Sequence, residues 1–152
     1  MAKHYGARLQ VIDCGSVGEA YAYAGVECHS IMQGTQNFAK TTAMSTEQCM
    51  AAMQLGYQSV EKAMAQKASI YVAGEMGIGN TCSASALACL LLNESEEALT
   101  GVGTGIKQEQ LIRKKQVIQQ AITLHQDWAG DDAFKILCAV GGLEIAAMVG
   151  AY

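Results

Sequence analysis

Three times along this chain a glycine-rich turn runs into a stretch that reads as helix, and this pattern narrows the fold more than any other feature. The clearest case is Gly74-Glu75-Met76-Gly77-Ile78-Gly79-Asn80-Thr81. It follows Ser69-Ile70-Tyr71-Val72-Ala73, a short run with strand composition, and precedes an Ala- and Leu-rich stretch over residues 81–92 that suits a buried helix. The second turn, Gly101-Val102-Gly103-Thr104-Gly105, comes before a helical pattern over residues 108–125, with Leu111, Ile118, Ala121, Ile122 and His125 on or near one face. The third, Gly141-Gly142, leads into Leu143-Glu144-Ile145-Ala146-Ala147-Met148. Strand, loop and helix in alternation predict an α/β fold, a parallel-sheet, Rossmann-like layer with flanking helices.

The remaining segments fit this layer. Leu9-Gln10-Val11-Ile12-Asp13 has strand composition and meets a loop at Gly15. Ser45 and Gln48 have the spacing of a capping box and predict a helix start. Met50, Met53, Tyr57, Val60 and Met64 then recur at three- and four-residue steps, a stripe expected to pack into the core rather than to serve a cofactor. Residues 133–140 form a further short helix candidate.

Composition bounds the function. A chain of 152 residues suits one domain, and 51% apolar content supplies a core without an uninterrupted apolar run of membrane-spanning length. The first ten residues carry Lys3, His4 and Arg8 with no apolar run behind them, so a secretory signal is not expected and the cytoplasm is. Six cysteines lie among apolar or small neighbours without a C-x-x-C pair, which predicts reduced, packed thiols and no metal site. His29 beside Cys28 lacks the partners of a metal site, His4 is expected to be exposed, and His125 is expected to end its helix. Net charge is −4, and the one basic run, Arg113-Lys114-Lys115, is too short for nucleic acid.

Glycines before a helix let a ligand approach the backbone, and the free N–H groups of the first helical turn attract an anion. A phosphate therefore suits the loop from Gly77 to Thr81, with Lys114 as a cation for the same anion. The spacing matches neither G-x-G-x-x-G nor G-x-x-x-x-G-K-[ST], and a tight turn capped by Asn80 or Thr81 is the plainer account. Lys114 has its plainer account as a solvated surface lysine. Glu144 reads as a favourable charge at a helix start. Glu75 would repel a phosphate unless it faced the sugar or base, and Asp13 stands in a similar position.

These residues resemble a family. Residues 75–81, Gly103-Thr104-Gly105 with Arg113-Lys114 downstream, and residues 141–147 are similar, in the same order, to nicotinate-nucleotide:dimethylbenzimidazole phosphoribosyltransferase of the cobalamin pathway. Upstream, Asp13-Cys14-Gly15 and Gly34-Thr35-Gln36-Asn37-Phe38 resemble the family's strand-end Asp-x-Gly and Gly-Thr-x-Asn-Phe stretches. The resemblance implies transfer of phosphoribose from nicotinate mononucleotide to 5,6-dimethylbenzimidazole, giving α-ribazole phosphate and nicotinate, with no metal or organic cofactor; a homo-oligomer is expected separately, from apolar surface at the Met50, Met53, Tyr57, Val60 and Met64 face and at the apolar end Val149-Gly150-Ala151-Tyr152. It implies that Glu75 is a supporting catalytic carboxylate and that Gly77, Gly79, Asn80, Thr81, Gly103, Thr104 and Lys114 bind substrate. The family's chains are longer and this one resembles their middle, as the central nucleotide-binding segment of a larger, here incomplete, domain. By the same resemblance, the C-terminal glutamate that takes the imidazole proton has no counterpart here, and the isolated chain is expected to be inactive. Val102 stands where the family commonly has arginine, Cys82 where it has threonine, and Lys107-Gln108 where it has an acidic pair. The alternative reading is a non-catalytic nucleotide-binding or assembly module derived from the family.

Overall fold

A computed structural model describes residues 2–18 and 23–152; Met1 and residues 19–22 lie outside the described part. Two short strands, β1 (Val11–Asp13) and β2 (Val26–Cys28), pair in parallel with Val11 opposite Val26 and Asp13 opposite Cys28. Six α-helices accompany them among the described residues: α1 (Thr46–Ala65), α2 (Thr81–Leu92), α3 (Glu96–Leu99), α4 (Gln108–Ala129), α5 (Ala133–Val140) and α6 (Leu143–Ala151). The class is α/β with a small parallel sheet, as the alternation of elements suggested.

Local chemistry sets the helix starts. Ser45 caps α1 with its hydroxyl, which accepts from the Gln48 amide at 3.2 Å, while Gln48 Oε1 accepts from the Ser45 amide at 2.8 Å. The Asp132 carboxylate accepts from the Phe134 and Lys135 amides and starts α5. Capping of this kind satisfies N–H groups that the helix itself leaves unpaired. α4 begins at Gln108 as expected and continues past His125 to Ala129, so His125 does not end it. His125 is buried within the helix, its Nε2 2.7 Å from the carbonyl of Phe38, and that partner accounts for a histidine in the interior.

The core gathers Met44, Cys49, Ile118, Ile136 and Val140, all fully buried, where α1, α2, α4 and α5 meet. Chain pairing outside the helices draws the α5 end onto the α1 entry: the Ala43 and Met44 amides donate to the Ala139 and Cys138 carbonyls at 2.8 and 3.0 Å. All six cysteines are free thiols. Burial pushes the Cys49 thiol up to about 12, helped by the neighbouring Cys138.

Two expectations are corrected. The methionine stripe of α1 is only partly a core face: Met53 packs against the core and Val60 is half-buried, but Met50, Tyr57 and Met64 are 59%, 51% and 68% exposed, and the fully buried face carries Cys49, Ala52, Leu55, Gly56 and Ser59. The cause is the partner helix. α6 lies so close to α1 that a Cβ on Gly56 would stand 1.7 Å from the Ala147 carbonyl oxygen, and one on Gly150 would stand 1.9 Å from that of Met53. Only glycine fits at these two points, and Met50, Tyr57 and Met64 face away from them. The run at residues 69–73 forms no strand. Its backbone makes no hydrogen bond to other backbone among the described residues, and Ile70 and Val72 are each 81% exposed. Strand propensity expresses fit to a neighbouring strand, and none stands beside this run among the described residues. Tyr71 ties it down, its hydroxyl 2.6 Å from Ser59 Oγ on α1.

Among the described residues no helix is long and apolar enough to cross a membrane.

Candidate functional site

The end of β1, the first glycine loop and the start of α6 surround a cleft of about 710 Å³. Asp13, Cys14, Gly15 and Ser16 line one side; Glu75, Met76, Ile78, Gly79, Asn80 and Ser83 line another; Gly142, Leu143 and Glu144 close it, with Gly34 and Thr35 at the edge. Three carboxylates face this space, and among the described residues no lysine or arginine lines it. The cleft therefore suits hydroxyl groups or developing positive charge rather than an anion.

At the β1 end the Asp13 carboxylate closes a small turn. Its Oδ1 accepts from the Gly15 amide at 2.9 Å, the Ser16 amide at 2.8 Å and the Ser16 hydroxyl at 3.0 Å. The Ser16 amide holds this carboxyl below its ordinary value, against partial burial, with the Gly15 amide and the Ser16 hydroxyl adding to the effect. The neighbouring Cys14 thiol is pushed up to about 11, first by burial and then by the charges of Glu144 and Asp13. It is a neutral thiol at physiological pH and no nucleophile.

Asn80 closes the first loop at the start of α2. It occupies the N-cap position of α2 but makes no side-chain cap bond, so the expected capping role is not what the side chain does. Its Nδ2 donates instead to Glu75 Oε2 at 2.6 Å and to Glu144 Oε1 at 3.1 Å. The Gly77 amide also donates to the Glu75 carboxylate and is thereby occupied. Gly79 lines the cleft.

The second loop meets the first through Lys114 and Thr81. Lys114 is not a surface residue: it is 7% exposed, and Nζ donates to Thr81 Oγ1 at 2.9 Å and to the Gly101 carbonyl at 3.0 Å. No carboxylate pairs with it among the described residues. Gly103 packs against the same threonine, with φ at +58° and a hypothetical Cβ only 2.7 Å from Thr81 Oγ1, so a side chain there meets both backbone strain and a clash. Thr104 lies exposed in the turn and is not among the cleft-lining residues. Val102, also exposed, brings no charge to this junction.

The structure thus brings Glu75, Gly79 and Asn80 into one cleft and joins Thr81, Gly103 and Lys114 at its flank. Glu144 belongs to the cleft although its position in the chain suggested only a helix-start charge; the signal for it was the Gly141-Gly142 turn in front. Among the described residues no group of three or more His, Cys, Asp or Glu side chains stands in a metal-holding arrangement.

A family model described as Phosphoribosyltransferase matches residues 1–152. The chain belongs to the phosphoribosyltransferase family. Its relatives in that family include the nicotinate-nucleotide–dimethylbenzimidazole phosphoribosyltransferases of Pseudomonas aeruginosa (strain LESB58) and Pseudomonas syringae pv. syringae (strain B728a), which are 41% and 45% identical over 152 residues. Both matches cover 100% of this chain and 43% of the relative. The crystal structure of CobT from Thermus thermophilus superposes with a TM-score of 0.88 at 36% identity, over 99% of this chain and 45% of that one. The chain therefore spans less than half the length of the phosphoribosyltransferases it matches, and it matches the family with its whole length.

Proposed function

We propose that this chain is the central, nucleotide-holding segment of a phosphoribosyltransferase that moves phosphoribose from nicotinate mononucleotide to 5,6-dimethylbenzimidazole. The observation that carries this reading is Lys114. A cation buried without a counter-ion is unfavourable, and the third Nζ hydrogen beside two glycine turns suits a phosphate that would compensate it. The carboxylate-lined cleft next to that point suits the other end of the same molecule, where ribose hydroxyls donate and positive charge develops.

In the reaction a ring nitrogen of the benzimidazole attacks the anomeric carbon with its lone pair. The bond from that carbon to the pyridinium nitrogen breaks, its electron pair stays with nicotinate, and the second benzimidazole nitrogen loses its proton. Atoms and charge balance without a metal or organic cofactor. Glu75, held in the cleft by Asn80 and by the Gly77 amide, is suited to face the sugar, where a fixed negative charge stabilises the cationic transition state. Gly79 suits close approach of the ligand to the loop, and Thr81 and Gly103 shape the junction suited to the phosphate, with Thr104 exposed in the same turn. By family resemblance the proton is taken by a glutamate near the C-terminus of the longer enzymes. The working protein is proposed to be cytoplasmic and homo-oligomeric, the latter supported by the apolar side chains exposed on α1.

Calorimetric titration tests the reading. Nicotinate mononucleotide should bind, and Lys114→Ala should weaken it by about 1.5–3 kcal/mol, the range for a charged hydrogen bond. Equal affinity of both proteins would remove Lys114 from the site, and no binding by the unaltered chain would remove the reading. Incubation with both substrates separates segment from enzyme: α-ribazole phosphate above a no-protein control, lost in Glu75→Gln, would show that Glu75 itself serves as the base.

A further inference from the structure

The Asn80 side-chain amide has two hydrogens, and Nδ2 gives hydrogen bonds to two carboxylates from different parts of the chain, Glu75 at 2.6 Å and Glu144 at 3.1 Å. The two acceptors are held very differently. Glu75 sits in the loop that follows residues 69–73, and residues 69–79 make no hydrogen bond to other backbone among the described residues. Beyond Asn80, the Glu75 carboxylate is tied, among the described residues, only to the amide of Gly77, two positions along the same loop. Glu144 stands in the first turn of α6, a helix locked against α1 at Gly56 and Gly150 and seated by the buried Leu143 and Ala146. A glutamate whose only task was to oppose the helix dipole would have no reason to reach a side chain 64 positions away.

We propose that Glu144 is a positioning residue for the reaction: through the shared Asn80 amide it fixes the Glu75 carboxylate in the cleft. This rests on the reading that the cleft receives nicotinate mononucleotide. The rigid element is α6, the adjustable one is the loop, and Asn80, anchored at the start of α2 by its carbonyl bond from the Ala84 amide at 2.9 Å, transmits one to the other. A carboxylate placed within a fraction of an ångström by supporting contacts binds and acts better than one on an unsupported loop. Gln at position 144 keeps an Oε1 acceptor for Asn80, whereas Ala removes it.

The test uses the 152-residue chain and two readouts. In calorimetry with nicotinate mononucleotide, Glu144→Ala should weaken binding about tenfold, Glu144→Gln should recover most of that loss, and the losses from Glu144→Ala and Asn80→Leu should not add, because both cut one chain of contacts. In nitrogen–proton spectra without ligand, Glu144→Ala should move the Asn80 side-chain amide resonances and the Gly77 backbone resonance, and Glu144→Gln should return them toward their original positions. A merely structural role would disturb α6 and leave the Asn80 side chain unmoved. Additive losses, or Asn80 resonances indifferent to Glu144→Ala, overturn the proposal. If the unaltered chain binds no nicotinate mononucleotide, the functional reading falls and the ligand-free spectra still decide whether Glu144 positions Asn80.

Discussion

Asp13 and Cys14 are neighbours at the end of β1 whose surroundings push their protons in opposite practical directions: the carboxyl is held ionised by donated hydrogen bonds, the thiol is held neutral by burial and adjacent charge. The folded value of Asp13 lies below its ordinary 3.8, so its stabilising contribution is complete above that value and is lost as pH falls through the folded one. The stability gap between wild type and Asp13→Asn, measured by urea unfolding, should be full at neutral pH, shrink as pH falls below 3.8 and close once pH is below the folded value. A gap that stayed constant across this range would show that the Gly15 and Ser16 donors do not distinguish carboxylate from carboxyl. Residue roles at the site were only partly legible in the sequence. The glycine turns marked the loop that lines the cleft, and Glu75 and Asn80 were visible as its polar members. The burial of Lys114 was not, because lysine is ordinarily exposed and nothing local marks the carbonyl of Gly101 as its partner. Nor was the Asn80 side chain's preference for two carboxylates over its own helix, since Glu144 arrives from the far end of the chain.

The pairing of α1 with α6 is the contact on which the position of Glu144 depends. A methyl group at Gly56 would have to displace the Ala147 carbonyl, a main-chain atom that cannot swing aside as a side-chain tip does. Gly56→Ala should therefore lower unfolding free energy by about 1–3 kcal/mol or more, despite the better helix propensity of alanine. Denaturant titration checks it, and an unchanged or raised midpoint would mean that the helices separate at little expense. The helices themselves were readable: the capping box at Ser45, the start of α4 at Gln108 and the whole of α5 lie where the pattern put them. Which face of α1 is buried was only partly readable from hydrophobicity, because α6 approaches at Gly56 and Gly150 and there selects for smallness. The strand expected at residues 69–73 failed for a related reason: period and propensity describe one chain's half of a pairing, and the other half is not beside it among the described residues.

At the scale of the molecule, apolar side chains are exposed on α1, on residues 70–78 and near Tyr152, including Ile70, Val72, Met76 and Ile78 together on one short run. Such surface favours association. Light scattering should report a mass above that of one 16.0 kDa chain, falling toward the monomer when Met50, Tyr57 and Met64 are replaced by polar residues; a monomer at high concentration without those changes would count against the proposed homo-oligomer. The α1–α6 contact has a further consequence for how a chain of this fold can drift over generations. At Gly56 and Gly150 the obstacle is the opposite helix's main chain, which every residue type carries, so only a shift of a whole helix makes room for a side chain. Those two positions resist substitution, while Met50, Tyr57 and Met64, facing outward on the same helix, answer to no such constraint. One side of α1 thus changes only at a cost and the other is free to vary, and new associations can be tried on the outer side without disturbing the support beneath the cleft.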